Sequence, residues 1–367
     1  MSCDLLSLAT EGVAGLQPYH PGKPMSELKR ELGLSEIIKL ASNENPLGPG
    51  QRVLDAIAAT TNLSRYPDGN AFELKQALAT IHGVATRQIT LGNGSNDVLE
   101  MTARAFLTPA HEVIYSQHSF AVYPIVTQAV GAKHVVVPAT EWGHDLEAMV
   151  QAITDHTRLM FVANPNNPTG TWVNRHDLRH MLERVPEHVI VLVDEAYFEY
   201  GLSEVDYPDA SQWLADFPNL IVTRTFSKAY GLAALRCGYA LSHPDVANLL
   251  NRVRQPFNNN QLALVAAETA LQDSDYLEKS IAVNSSGMRY LLTAFDDMGL
   301  EFIPSLGNFI CIDFEQEAEP VYQELLKAGV IVRPVANYGM PNHLRVSIGL
   351  EQENKKFIYE LGRILSA

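Results

Sequence analysis

Between about residues 88 and 245, short apolar runs alternate with amphipathic stretches of helical period. Strands are expected at 88–91, 112–116, 133–137, 158–163, 189–193 and 220–223, with helices at 98–106, 123–130 and 177–182 among them. The run Val189-Ile190-Val191-Leu192-Val193 has no polar face, so it must be covered on both sides. Strands of this kind, joined through helices, make a mostly parallel central sheet with helices on both faces. The alternation stops near Pro256-Phe257-Asn258-Asn259-Asn260. Beyond it a long helical section, 261–298 with a break or kink, leads to strands at 301–304, 308–314, 330–332 and 344–348 and a helix at 320–328. That mixture predicts a second, smaller α+β domain. The expected division is an N-terminal arm and part of the small domain over 1–44, a large cofactor-binding domain over 45–260, and a small C-terminal α+β domain over 261–367.

Composition narrows the partners. The formal net charge of −15 argues against nucleic acid as a general partner. It leaves room for a small anion, because a local cluster of arginines can oppose the global sign. Cys3, Cys237 and Cys311 are widely spaced and form no Cys-x-x-Cys pair, so neither a disulfide framework nor a zinc knuckle is expected. No histidine pair lies at ligand spacing beside a carboxylate cluster, and no metal is expected. The N-terminal stretch has no cationic segment ahead of an apolar core, and no apolar run is long enough to span a bilayer. A cytoplasmic protein without membrane contact is the expectation.

The chemistry gathers at the C-terminal ends of the predicted strands, where ligands of open α/β sheets sit. After the first strand comes Gly92-Asn93-Gly94-Ser95-Asn96-Asp97, small residues opening a helix. Such a turn presents free N–H groups at a positive helix end and suits a phosphate. Plain N-capping by Ser95 or Asn96 explains it equally well. Asn164-Pro165-Asn166-Asn167-Pro168-Thr169-Gly170 is a rigid loop after another strand. Asp194 ends the most apolar strand, with Tyr197 just beyond, and a carboxylate there is costly unless it meets a cation or a donor. Thr225-Phe226-Ser227-Lys228 follows strand 220–223, with Arg236 eight residues past the lysine.

A lysine can condense with an aldehyde to a Schiff base, and hydroxyls with an arginine suit a phosphate. Aldehyde and phosphate in one small molecule point to pyridoxal phosphate. Every feature has a task in such a site. Lys228 takes the aldehyde, and Asp194 keeps the pyridine nitrogen protonated. Asn167 and Tyr197 donate to the ring's phenolate oxygen, and Phe120 stacks on the ring. The phosphate falls to the backbone of Gly94, Ser95 and Asn96 with Thr225, Ser227 and Arg236.

The motifs at 164–170 and 194–197, with Ser227-Lys228 and Arg236, resemble the class I/II aminotransferases of pyridoxal-phosphate fold type I over essentially the whole chain. Gln17-Pro18-Tyr19-His20-Pro21-Gly22-Lys23-Pro24, residues 40–49, Arg65-Tyr66-Pro67-Asp68-Gly69 and Gly92-Asn93-Gly94-Ser95 point further, to the branch that acts on histidinol phosphate. The resemblance implies transfer of an amino group between histidinol phosphate and 2-oxoglutarate, giving imidazole acetol phosphate and glutamate, a step of histidine biosynthesis. It implies a homodimer in which Tyr66 reaches the partner's cofactor phosphate. It also implies that Tyr19, Asn167, Arg333 and Arg345 grip the substrate. Taken singly, each arginine reads as surface charge and Tyr19 as a packing aromatic. The chain departs from the family pattern at Asn96, where an acidic residue is common, and at Ala234, where glycine is. An aromatic amino-acid aminotransferase and, further off, a phospho-amino-acid decarboxylase share this scaffold. A regulator using the fold as a ligand sensor would need a DNA-binding segment that the sequence does not suggest.

Overall fold

The computed structural model describes residues 5–18, 22–34 and 36–366. The apolar runs of the first half pair into one seven-stranded sheet. Its strands are β1 (Ile89–Gly92), β2 (Glu112–Ser116), β3 (Lys133–Val137), β4 (Thr157–Ala163), β5 (Ile190–Asp194), β6 (Leu220–Thr225) and β7 (Gly238–Ser242). They lie in the order β1-β7-β6-β5-β4-β2-β3. The strands from β6 to β3 run parallel. β7 runs antiparallel to both β6 and β1.

β7 goes beyond the sequence reading, and its direction has a physical reason. The segment joining it to β6, residues 226–237, holds only one 3-10 turn, Ala233–Leu235. A parallel return needs a long crossover, usually a helix, so the chain doubles back instead. The sheet is therefore mostly, not wholly, parallel.

Alternate residues of the central strands feed two cores, as the twofold strand period requires. Met160, Val162, Val191, Val193 and Val222 point to one side. Leu159, Phe161, Leu192 and Ile221 point to the other. Both layers are almost wholly excluded from water, which is why β5 could be recognised as a continuous apolar run.

The break expected within 261–298 falls at Gln272–Asp273, between helices Gln261–Leu271 and Ser274–Met298. Beyond it, β8 (Glu301–Ile303), β9 (Phe309–Asp313), β10 (Arg333–Pro334) and β11 (His343–Ser347) form an antiparallel sheet of order β10-β11-β9-β8. Ile310, Ile312, Leu344 and Val346 of that sheet pack on Leu291 and Phe295 of the long helix and on Phe357 and Leu361 of helix Glu351–Leu365. Ile38–Lys39 pairs in parallel with Val330–Ile331, so the N-terminal segment reaches this second layer before entering the first. Among the described residues no helix is long and apolar enough to cross a membrane.

Candidate active site

The ends of β4, β5 and β6, the start of helix α1 (Ser95–Phe106) and the arginine-bearing edge of the small sheet enclose one cavity of about 390 Å³. Phe120, Asn167, Asp194, Tyr197, Thr225, Ser227, Lys228, Arg236, Arg333 and Arg345 all line it, with Ser95 and Asn96. These residues are far apart in sequence; the shared strand ends bring them together.

Lys228 sits in the β6–β7 connection. Its Nζ donates to the Ser42 carbonyl at 3.3 Å and lies 5.6 Å from the Tyr197 ring centroid. Burial pushes its pKa down to about 7, helped by the positive charges of Arg345 and Arg236 and opposed by Glu44 and Asp194. A neutral amine is thus accessible near neutral pH.

Asp194 forms the floor. Tyr123 donates its hydroxyl to Oδ2 at 2.9 Å, and Thr223 donates to Oδ1 at 3.1 Å. Burial nevertheless raises the carboxyl's pKa above the usual carboxylate value. A cation facing it would favour the ionised form. Tyr123 is itself held flat against Phe161, ring centroids 4.5 Å apart, and Phe120 meets it edge-on at 5.9 Å.

Tyr197 is buried, and its hydroxyl accepts a hydrogen bond from Asn43 Nδ2 at 2.9 Å. Burial pushes the phenol up to about 12, so it stays protonated. Arg345 donates from Nη1 to Asn167 Oδ1 and from Nη2 to the Ala41 carbonyl at 2.8 Å. Arg333 and Arg345 are direct register partners across β10 and β11, which sets both side chains on one face of the small sheet.

At the opposite end of the cavity, α1 begins three residues earlier than the apolar pattern suggested. Its N-cap is Gly94, at φ +82°, and no side chain caps the helix. The capping alternative for Ser95 and Asn96 therefore fails: they are the first two helical residues, and both line the cavity. Gly94 stands behind them. A Cβ there would collide with Arg236 Nη2. Arg236 is fixed by donation from Nη1 to Ser227 Oγ at 3.2 Å and to the Ala233 carbonyl at 3.0 Å. Thr225 Oγ1 accepts from the Ser227 N–H at 3.1 Å. Uncapped helix N–H groups, hydroxyls and a guanidinium form a cradle for a phosphate.

One expected residue lies elsewhere. Tyr66 is 80% exposed, stacks on Phe257 with centroids 4.6 Å apart, and does not line this chain's cavity. Tyr19 lies outside the described residues. Conversely, Asn43, Tyr123 and Thr223 were not foreseen. Asn43 falls in the stretch 40–49, Tyr123 opens the helix expected at 123–130, and Thr223 ends the strand expected at 220–223.

The family model for aminotransferase class I and II matches residues 35–361. The chain belongs to that family. It is 59% identical to a histidinol-phosphate aminotransferase of Pseudomonas fluorescens over the whole of both chains. It is 55% identical to one of Nitrosococcus oceani, covering 98% of this chain and 97% of the relative. Among solved structures it resembles a histidinol-phosphate aminotransferase from Sinorhizobium meliloti in complex with pyridoxal-5'-phosphate. That match has a TM-score of 0.91 and 29% identity, and covers 100% of this chain and 99% of the other. The cofactor of this aminotransferase is pyridoxal phosphate. The donor set fits it: an amine of lowered pKa, a buried carboxylate on the floor, and a phosphate cradle at the far end.

Proposed function

We propose that this aminotransferase exchanges an amino group between histidinol phosphate and 2-oxoglutarate, with imidazole acetol phosphate and glutamate as products. The observation that carries the substrate is the Arg333–Arg345 pair. Two arginines, both more than nine-tenths buried, are register partners across β10 and β11 and both line the cavity, so an anion entering it meets two positive charges. A dianionic phosphate can accept from both arginines; a single carboxylate engages mainly one. The names of the relatives agree with this reading.

When bound, pyridoxal phosphate supplies an aldehyde for an amine and a ring that takes up the electron pair left on the substrate carbon. The chain does the rest. Lys228 would hold the cofactor and, as a neutral amine, would take the proton from the substrate carbon as base and deliver it as acid to the carbon contributed by the cofactor's aldehyde. Asp194 holds a proton on the ring nitrogen, with Tyr123 and Thr223 fixing its two oxygens. Asn167 and Tyr197 donate to the ring's phenolic oxygen, and Phe120 covers the ring. The backbone of Gly94, Ser95 and Asn96, with Thr225, Ser227 and Arg236, anchors the phosphate. Arg333, Arg345 and Tyr19 orient the substrate so that one bond faces Lys228. The two half-reactions share this one site, so ping-pong kinetics follow.

The same reading includes a cytoplasmic homodimer in which Tyr66 serves the partner's phosphate; its exposure and position outside this chain's own cavity support that. It also includes a large domain at 45–260, with 1–44 shared between an arm and the small domain at 261–367. A kcat/KM comparison of histidinol phosphate, phenylalanine and tyrosine, with 2-oxoglutarate as acceptor, tests the substrate. Histidinol phosphate is expected to lead by at least about 10-fold, the worth of one charge-assisted hydrogen bond. Parity would favour an aromatic amino acid instead.

A further inference from the structure

Asn43 is almost wholly buried and sits at φ +53°, a left-handed conformation that asparagine tolerates better than most residues. Its backbone N–H donates to Ser347 Oγ at 2.8 Å, and its carbonyl accepts from Asn308 Nδ2 at 3.0 Å. Its side-chain Oδ1 accepts from Ser347 Oγ at 3.0 Å, and Nδ2 donates to the Tyr197 hydroxyl oxygen at 2.9 Å. Ser347 fixes which way round the amide lies. Ser347 Oγ already accepts from the Asn43 backbone, and its single hydrogen goes to Oδ1. Turning the amide over would leave that buried hydrogen without an acceptor among the described residues, at a cost of about 1–3 kcal/mol.

The direction of the Tyr197 bond follows. Asn43 Nδ2 occupies a lone pair of the phenol oxygen, so the phenol's own hydrogen must go elsewhere. No described residue accepts it, and Tyr197 lines the cavity. We infer that Asn43 is a positioning residue: with Ser347 behind it, it holds the Tyr197 hydroxyl as a hydrogen-bond donor aimed into the cofactor cavity. Ser347 lies on β11, two residues beyond Arg345, so the same strand sets the substrate guanidinium and the phenol's orientation. The inference rests on the reading of this cavity as a pyridoxal phosphate site with Tyr197 beside the ring's phenolic oxygen.

A donor at that oxygen stabilises its anionic form and lowers the pH at which the bound cofactor loses its proton. The other charged or titratable groups facing Tyr197 are Asp194, Lys228, Arg345, Tyr338, Tyr123 and Tyr200. All are retained in the test variants. Asn43→Asp keeps the shape but cannot donate; its carboxylate instead takes the Tyr197 hydrogen and turns it out of the cavity. Ser347→Ala is the neutral variant, which frees the amide to turn over.

The readout is the pH midpoint of the visible absorption band of the purified, cofactor-loaded protein, with and without Tyr197→Phe. Asn43→Asp is expected to raise the midpoint by about one pH unit or more. Part of that rise is the new charge, so the background decides: the shift must shrink clearly when Tyr197 is already phenylalanine. Ser347→Ala is expected to raise the midpoint by a smaller amount with Tyr197 present and to leave it unchanged without. Equal shifts in both backgrounds, or no shift with Ser347→Ala while Tyr197→Phe does move the midpoint, would overturn the inference. A parent protein that takes up pyridoxal phosphate without any visible band would instead sink the cofactor reading itself.

Discussion

Arg345 donates through Nη1 to the side-chain oxygen of Asn167, joining the small sheet to the loop after β4. The contact orients Asn167, because an amide whose oxygen is taken presents its NH2 group elsewhere. It also commits one prong of a guanidinium expected to receive the substrate. With Nη2 on the Ala41 carbonyl and the group lying 5.3 Å from the Phe309 ring centroid, Arg345 is held by geometry as much as by charge.

Arg345→Lys keeps the charge but loses the planar fork. Losing one charge-assisted hydrogen bond, about 1.5–3 kcal/mol, corresponds to a fall of roughly 10- to 100-fold in kcat/KM for the phosphorylated amine. Steady-state kinetics check this. A change of less than about twofold would mean that charge alone matters.

Lys228 reacts as the neutral amine. With its pKa near 7, the rate at which apoprotein captures pyridoxal phosphate should rise with pH and level off above about 7, far below the ordinary lysine value of 10.5. Arg345→Gln removes a positive neighbour and should move that midpoint upward; Glu44→Gln removes a negative one and should move it downward. The apoprotein has a linked stability term. Between about 7 and 10.5 the unfolded chain binds this proton and the folded one does not, so stability gains from this residue as pH rises through that window. Stopped-flow absorbance across pH reads the capture rate. Lys228→Ala should abolish turnover.

Gly94→Ala combines strain at φ +82° with a collision against Arg236. Gly299→Ala has the strain alone, at φ +68° with nothing within 4 Å of the added methyl. Both should lose about 1 kcal/mol or more of stability. Gly94→Ala alone should also weaken cofactor binding, by about 10-fold if the displaced guanidinium forfeits one hydrogen bond to the phosphate. Thermal melts and cofactor titrations separate the two effects.

Arg224 on β6 donates through Nε and Nη2 to Glu195 at 2.9 and 2.8 Å and through Nη2 to Asp209 at 2.6 Å. It locks the strand leading to Lys228 onto the residue after Asp194, on the face away from the cavity. Arg224→Met leaves Glu195 buried without its cation and should cost about 3–5 kcal/mol, visible in chemical denaturation. The double change Arg224→Met with Glu195→Leu should recover much of that loss.

Asp194 and Lys228 could be found because each follows a run of apolar residues that ends abruptly, and a polar group at such an end needs a reason. Arg236 came with Lys228 by short spacing. β7 escaped because it opens on glycine and has no continuous apolar run, Gly238-Tyr239-Ala240-Leu241-Ser242, and only pairing with β6 and β1 makes it a strand. Asn43 and Tyr123 escaped for another reason. Their partners are 154 and 71 residues away, so nothing in their own neighbourhood marks them. Local sequence encodes what a segment is; it does not encode which distant hydroxyl it will meet.

β1 is an edge strand whose one neighbour in the sheet is β7. Just past β1, the start of α1 approaches β7 so closely that a Cβ on Gly238 would strike the Ser95 backbone nitrogen. The proposed phosphate cradle straddles this seam, with helix α1 on one side and the Thr225–Arg236 hairpin on the other. A ligand bound at a thousand times its dissociation constant adds about 4 kcal/mol to the state that binds it. Here that energy falls across a join between segments more than a hundred residues apart, at the sheet border where opening is otherwise easiest. The cofactor is thus a fastener as well as a reagent. When it leaves, amide exchange should quicken first in β1 and the opening turn of α1, while the parallel strands behind Lys228 stay closed.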